Sequence, residues 1–133
     1  MATVLIVDDE YGIAELLQAV LMDEGHRVLT ASNGKHGLSV LETEKPDIIF
    51  LDYMMPVMDG ATMLSRTSED ASLSQIPVVL MSSIPEASVA ERCRGYVLFL
   101  RKPFDVFHVI DVVKRLALRS APRSEDVLRD PTT

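Results

Sequence analysis

The sequence has a single cysteine, Cys93, and no tryptophan, and aromatic residues make up only 5% of its 133 residues. One cysteine cannot form an internal disulfide, so a reducing, cytoplasmic setting is expected. With so few aromatic side chains, the core must consist mainly of valine, leucine, isoleucine and methionine. Hydrophobic residues make up 47% of the chain, which is enough for one globular domain.

Basic residues are also scarce: there are 13 Lys and Arg against 20 Asp and Glu, and the net charge is -7. Nucleic-acid backbones bind basic surfaces, so we expect no direct nucleic-acid binding by this chain. No apolar run approaches the roughly 20 residues that span a bilayer, so no membrane span is expected.

Short apolar segments recur along the chain and predict five strands, at Val4–Val7, Val28–Ala31, Ile48–Leu51, Val78–Met81 and Tyr96–Leu100. They lack polar alternation, which is typical of strands covered on both faces. Segments with helical spacing lie between and after them, at Ile13–Leu21, Leu38–Leu41, Ala61–Thr67, Ser88–Cys93 and Phe107–Ala117. This alternation predicts an α/β fold with a doubly wound, five-stranded parallel sheet, and we favour the order 2-1-3-4-5.

The composition changes after residue 119. The last 14 residues are polar, hold two prolines and lack periodicity. We predict one domain over residues 1–119, followed at 120–133 by a flexible tail or the start of a linker.

Charged and hydroxyl residues follow four of the predicted strands, and ligands of open parallel sheets bind beyond these carboxyl ends. They are Asp8, Asp9 and Glu10, then Asp52, then Ser82, and finally Lys102. Each one alone could be a turn former, a helix cap or part of a solvated rim. Their convergence on one edge instead favours a site where a divalent cation and Lys102 neutralise carboxylates, with Asp52 as a nucleophile able to accept a phosphoryl group.

The sequence resembles the receiver domain of two-component response regulators, whose fold is the CheY-like, flavodoxin-like three-layer sandwich. The resemblance covers about Thr3 to Arg119 and lies in four motifs: Val4-Leu-Ile-Val-Asp-Asp-Glu10, Asp47-Ile-Ile-Phe-Leu-Asp-Tyr-Met-Met-Pro-Val-Met-Asp-Gly60, Pro77-Val-Val-Leu-Met-Ser-Ser83 and Lys102-Pro-Phe104. Any one motif is weak alone, but four in this order are specific.

The resemblance implies a role for each matching residue. Asp52 would be the phospho-acceptor. Mg²⁺, with Mn²⁺ as an alternative, would be held by Asp9, Asp52 and the Met54 carbonyl, and by Asp8 through a water molecule. Lys102 would pair with the phosphoryl group, and the Lys102-Pro103 bond is expected in cis. Ser82 would bind a phosphoryl oxygen, and Phe99 would be the switch aromatic.

The resemblance also implies a function: transfer of a phosphoryl group from a phosphohistidine to Asp52, which switches the face of helix 4, strand 5 and helix 5. The donor would be a sensor histidine kinase or a phosphotransfer protein. A downstream effector, or an output domain absent from this chain, would read the change. The domain would be a signalling module and not a turnover enzyme, either a monomer or a dimer formed on phosphorylation.

Three departures from the family pattern stand out. The interval from Ser82 to Lys102 is about two residues short, which predicts a short or irregular helix 4. Phe99 lacks the hydroxyl of the more common tyrosine, so a switch there must act by packing. The bulky Met54 and Ile84 beside the site are predicted to hinder the water that hydrolyses the acyl phosphate.

Two alternative functions stay open on the sequence alone. A scaffold without phosphotransfer is disfavoured by the intact acidic set and Lys102. A hydrolase with an aspartyl nucleophile would usually carry a second acid two residues after Asp52, where this chain has Met54.

Overall fold

The computed structural model describes residues 1–119, and the predicted tail at 120–133 lies outside this part of the chain. The strands are β1 (Thr3–Val7), β2 (Arg27–Ala31), β3 (Ile48–Asp52), β4 (Val78–Ser82) and β5 (Leu98–Arg101). The helices are α1 (Tyr11–Asp23), α2 (Gly34–Leu41), α3 (Gly60–Ser68), α4 (Glu86–Ala90) and α5 (Val106–Arg119). Among these, no helix is long and apolar enough to cross a membrane.

The five strands form one parallel sheet in the order β2-β1-β3-β4-β5, as predicted. β1 lies between β2 and β3, with Val7 paired to Ala31 on one side and to Leu51 on the other. At the other edge, Ser82 of β4 pairs with Arg101 of β5. All four pairings are parallel, so the carboxyl ends of the strands meet at one edge of the sheet.

The core has two halves because successive strand side chains point to opposite faces of the sheet. Ile6 and Phe50 pack on one side with α1 and α5, whereas Leu5 and Leu51 pack on the other with α2 and α3. Neither face of the central strands meets water, which explains their continuous apolar runs. The result is the predicted three-layer sandwich, and it holds the carboxyl ends of β1 and β3 side by side.

The predicted starts of several elements are wrong. α2 begins at Gly34 and not at Leu38. α4 starts at Glu86 and not at Ser88, because the Pro85 carbonyl already accepts the first helical N–H bonds, and the helix ends after five residues. β5 starts at Leu98 and not at Tyr96, since Gly95 turns the chain with φ +92 just before it. The prediction of a short fourth helix is confirmed.

Candidate functional site

The acidic residues meet because β1 and β3 are neighbours. Asp8 follows β1 and Asp52 ends β3, and both are buried, with 2% and 5% of their surfaces exposed. The Asp8 backbone N–H donates to the Ala31 carbonyl, and the Tyr53 N–H, just after Asp52, donates to the Met81 carbonyl. Backbone hydrogen bonds to neighbouring strands thus fix both carboxylates near the floor of one pocket.

Lys102 enters this pocket from the end of β5. Its Nζ lies 3.0 Å from Asp8 Oδ2, 2.8 Å from Glu10 Oε1 and 3.2 Å from Asp52 Oδ1. Its backbone N–H donates to the Ser82 carbonyl, and its peptide bond to Pro103 is cis, as expected. The predicted meeting of carboxylates and an ammonium group is therefore present.

Oxygen atoms of Asp8, Glu10 and Asp52 lie within 4.8 Å of one another. Of these, Glu10 and Asp52 line a cavity of about 480 Å³, together with Asp9, Met54 and Ser82. Hard divalent cations such as Mg²⁺ prefer carboxylate, carbonyl and water oxygens, so this donor set fits Mg²⁺ and Mn²⁺. The three clustered residues include Glu10, which was not among the predicted metal ligands, and do not include Asp9, which was.

Burial and like charges perturb the acid at the centre of the site. Burial, first, and then the nearby charge of Asp8 raise the pKa of Asp52, Lys102 opposes the rise, and the net pKa is about 7. For Lys102, burial alone would lower the pKa, but hydrogen bonds to Glu10 and Asp8 outweigh it and raise the pKa above its ordinary value. The site therefore keeps its ammonium charged, and its central carboxyl is about half ionised near pH 7.

Ser82 ends β4 beside Asp52 and is almost fully buried, with 2% of its surface exposed. Its Oγ accepts a hydrogen bond of 3.0 Å from the Ile84 backbone N–H. That bond ties the hydroxyl to the loop that leads into α4. The Arg101 Nε–H also binds this loop, donating to the Ser83 carbonyl at 2.8 Å.

The segment from Asp52 to α3 lies against the acceptor. The Gly60 N–H donates to the Tyr53 carbonyl, and a Cβ at Gly60 would lie only 2.3 Å from the Asp52 carbonyl oxygen. Only glycine fits there. Val57 in the same loop has φ 71, an uncommon conformation for a β-branched residue.

Phe99 lies in β5, where it is half-buried and pairs with Leu80. The Tyr96 ring lies 6.4 Å from the Phe99 ring, and the Tyr96 hydroxyl donates to Glu86 Oε2 at 2.8 Å. The tyrosine hydroxyl beside Phe99 therefore belongs to Tyr96, and it binds Glu86 of α4. Sequence reading missed Tyr96 because it placed this residue inside the strand.

The comparisons with known proteins agree with this geometry. Residues 4–114 match the response regulator receiver domain family. The chain belongs to this family. It is a receiver domain of the two-component response regulators, and its cluster of Asp8, Glu10 and Asp52 fits the Mg²⁺-binding phosphorylation site of such domains.

Individual relatives differ in length and in what their names state. The receiver domain is 36% identical over 120 residues to sporulation initiation phosphotransferase F of Bacillus subtilis, covering 88% of this chain and 95% of that protein. It is 34% identical to the transcriptional regulatory protein GlrR of Escherichia coli, covering 97% of this chain but only 29% of that protein. The response regulator TrrA of Thermotoga maritima, solved with Mg²⁺ and BeF, is 26% identical with a TM-score of 0.77, covering 87% of this chain and 99% of that one.

Proposed function

We propose that the receiver domain accepts a phosphoryl group on Asp52 from a phosphohistidine, with a bound Mg²⁺ ion, and passes the change to the α4–β5–α5 face. The observation that supports this most is the Lys102 ammonium at 3.2 Å from Asp52 Oδ1, with the Asp8 carboxylate beside it. A nucleophile, a cation and oxygen ligands for a metal are then within reach of one phosphoryl group.

In this mechanism a carboxylate oxygen of Asp52 attacks phosphorus, the P–N bond of the phosphohistidine breaks, and the leaving imidazole keeps the bonding electron pair. A bound Mg²⁺ ion would neutralise charge on the transferring oxygens. Asp8, Asp9, Asp52 and the Met54 carbonyl would hold it. Lys102 donates to a phosphoryl oxygen and keeps that charge stabilised after transfer.

Ser82 then couples the acceptor to the surface. Its hydroxyl loses the hydrogen bond from the Ile84 N–H and donates one to a phosphoryl oxygen. The loop before α4 then moves. Phe99 repacks into the space that the loop leaves, so α4, β5 and α5 present a different surface. The energetics are those of a population shift, since the new contacts exist in only one of the two states.

The partners follow from the chemistry and from the relatives. The phosphoryl donor is a sensor histidine kinase or a phosphotransfer protein. The reader is a separate effector or an output domain on a longer chain, as the coverage of only 29% of the transcriptional regulator GlrR suggests. The cytoplasmic location stays a prediction, and so does the oligomeric state, which is either a monomer or a dimer formed on phosphorylation.

Acetyl phosphate tests the proposal, since it can supply a phosphoryl group without a kinase. Intact-mass spectrometry should show the gain of one phosphoryl group that requires Mg²⁺ and disappears in Asp52→Asn. Asp23→Asn, an exposed aspartate at the end of α1, should still be modified. A wild-type protein that stays unmodified at millimolar Mg²⁺ would identify a scaffold without phosphotransfer, and steady turnover of an aryl phosphate would identify a hydrolase.

A further inference from the structure

The side chain of Glu10 does not act as a helix cap. Glu10 is the N-terminal flanking residue of α1 with an extended backbone, yet its carboxylate makes no capping hydrogen bond. Its Oε1 instead accepts a 2.8 Å bond from Lys102 Nζ, the shortest of the three ion pairs that Lys102 makes. The ammonium donates hydrogen bonds to Asp8 and to Glu10, and it forms an ion pair with Asp52.

The three partners of Lys102 differ in how freely they can move. The side chain of Asp8 is 0% exposed and that of Asp52 is 7% exposed, whereas that of Glu10 is 59% exposed at the rim. Both oxygens of Asp8 have partners, because Oδ1 accepts the Glu10 N–H and Oδ2 accepts Lys102. A divalent cation at Asp8 would therefore share an oxygen with one of these donors, and its charge would repel the ammonium group.

The backbone of Lys102 is anchored, since its N–H donates to the Ser82 carbonyl at 2.8 Å. Only the side chain can leave Asp8. The Lys102 side chain is just 10% exposed, and a buried ammonium without a carboxylate partner is strongly unfavourable. Of its three partners, Glu10 is the one at the rim, where it can follow the ammonium as it moves away from the floor.

We propose that Glu10 is a positioning residue that holds the Lys102 ammonium at the rim while a divalent cation binds Asp8 and Asp52. When the phosphoryl group arrives, the ammonium moves from Glu10 to a phosphoryl oxygen. The inference rests on the proposed Mg²⁺-dependent acceptance at Asp52. Before the cation binds, Glu10 is one of three carboxylate partners, so its removal changes little. Once the cation is bound, Glu10 is the main remaining partner, so its removal disfavours that state.

A double-mutant cycle on Mg²⁺ affinity, measured by calorimetry, tests the inference. We expect Glu10→Gln to weaken Mg²⁺ binding by about fivefold when Lys102 is present and by less than about twofold in the Lys102→Met background, a coupling within the range of contacting residues. Glu15→Gln removes an exposed carboxylate of α1 and should leave the affinity unchanged. Equal losses in both backgrounds would show that Glu10 acts directly on the cation and would overturn the proposal.

A second measurement needs no change at Lys102. With ¹⁵N-lysine labelling, the Nζ resonance of Lys102 should stay sharp in saturating Mg²⁺ in the wild type, since the ammonium stays bonded, and should broaden through exchange with water in Glu10→Gln. An unchanged resonance in the variant would also overturn the proposal. A wild type that binds no Mg²⁺ would instead reject the proposed function itself.

Discussion

Replacing Asp52 by asparagine should make the metal-free receiver domain more stable. The carboxyl lies on the floor of the site next to Asp8, and burial together with that neighbouring charge raises its pKa from 3.8 to about 7. The folded protein therefore holds an ionised Asp52 less favourably than the unfolded chain does. Asparagine has nearly the same shape and removes the charge.

The magnitude follows from linkage between protonation and folding. The interval between 3.8 and about 7 corresponds to roughly 4 kcal/mol at full ionisation, at about 1.36 kcal/mol for each pKa unit. The Asn variant recovers only part of this, because it loses the ion pair with Lys102 and leaves a buried amide that needs partners. We expect a gain of about 1–3 kcal/mol at pH 8 without metal.

The sign of the pH dependence is fixed by the raised pKa. Below about pH 4 the Asp52 carboxyl is protonated in both states and contributes nothing. As the pH rises toward about 7, the unfolded chain loses its proton while the folded protein retains it, so the wild type becomes less stable. The advantage of Asp52→Asn at pH 5 should then be less than half of that at pH 8.

Urea denaturation at pH 5 and at pH 8, each with EDTA or with Mg²⁺, measures the free energy of unfolding under these four conditions. Mg²⁺ should stabilise the wild type by mass action and should stabilise Asp52→Asn much less. Asp23→Asn should change stability by less than about 0.5 kcal/mol and equally at both pH values. A variant no more stable than wild type at pH 8 in EDTA would refute the claim that Asp52 is electrostatically strained.

Lys102→Met should lower the free energy of unfolding at pH 8 by at least about 2 kcal/mol, because it leaves buried carboxylates without their cation, and Mg²⁺ should restore part of the loss in the same urea experiment. Gly60→Ala should cost about 1–3 kcal/mol from overpacking, whereas Gly12→Ala, where a Cβ meets nothing within 4 Å, should gain up to about 1 kcal/mol; equal effects would argue against the close approach at Gly60. Cutting both Met54 and Ile84 to alanine should speed phosphate release from the phosphorylated protein, and an unchanged half-life of seconds would contradict their role as a barrier to water.

The fold could be predicted because burial on both faces leaves a strong sequence signal. β3 and β4 are completely buried, and each reads as an unbroken apolar run that ends in Asp52 or Ser82. Hydrophobic burial decides where such strands lie. The boundaries of α4 and β5 were less predictable, since turns at Pro85 and Gly95 set them and not periodicity.

The site was predictable in its residue types but not in its contacts. Asp8, Asp52 and Lys102 follow three strands, so the topology alone brings them to one edge. The partner of Glu10 depends on a rotamer choice: its carboxylate could have met the α1 amides or Lys102, and both are favourable for an anion. Sequence spacing does not discriminate between two such contacts.

The strands hold Asp8 and Asp52 in place, whereas the surrounding side chains and the loop after Ser82 are free to respond to a ligand. Asp8 and Asp52 are fixed by strands whose side chains pack in two closed clusters, so the sheet cannot relax to separate their charges. Their repulsion can be relieved only by a proton, by Lys102 or by an added cation. When the ligand changes, we therefore expect side chains and the loop after Ser82 to move, and not the strands. The Ser82 hydroxyl is linked to this loop by its hydrogen bond from the Ile84 N–H. Under the proposed function, a small event at Asp52 should therefore reach the short α4 through the loop that connects it to the site.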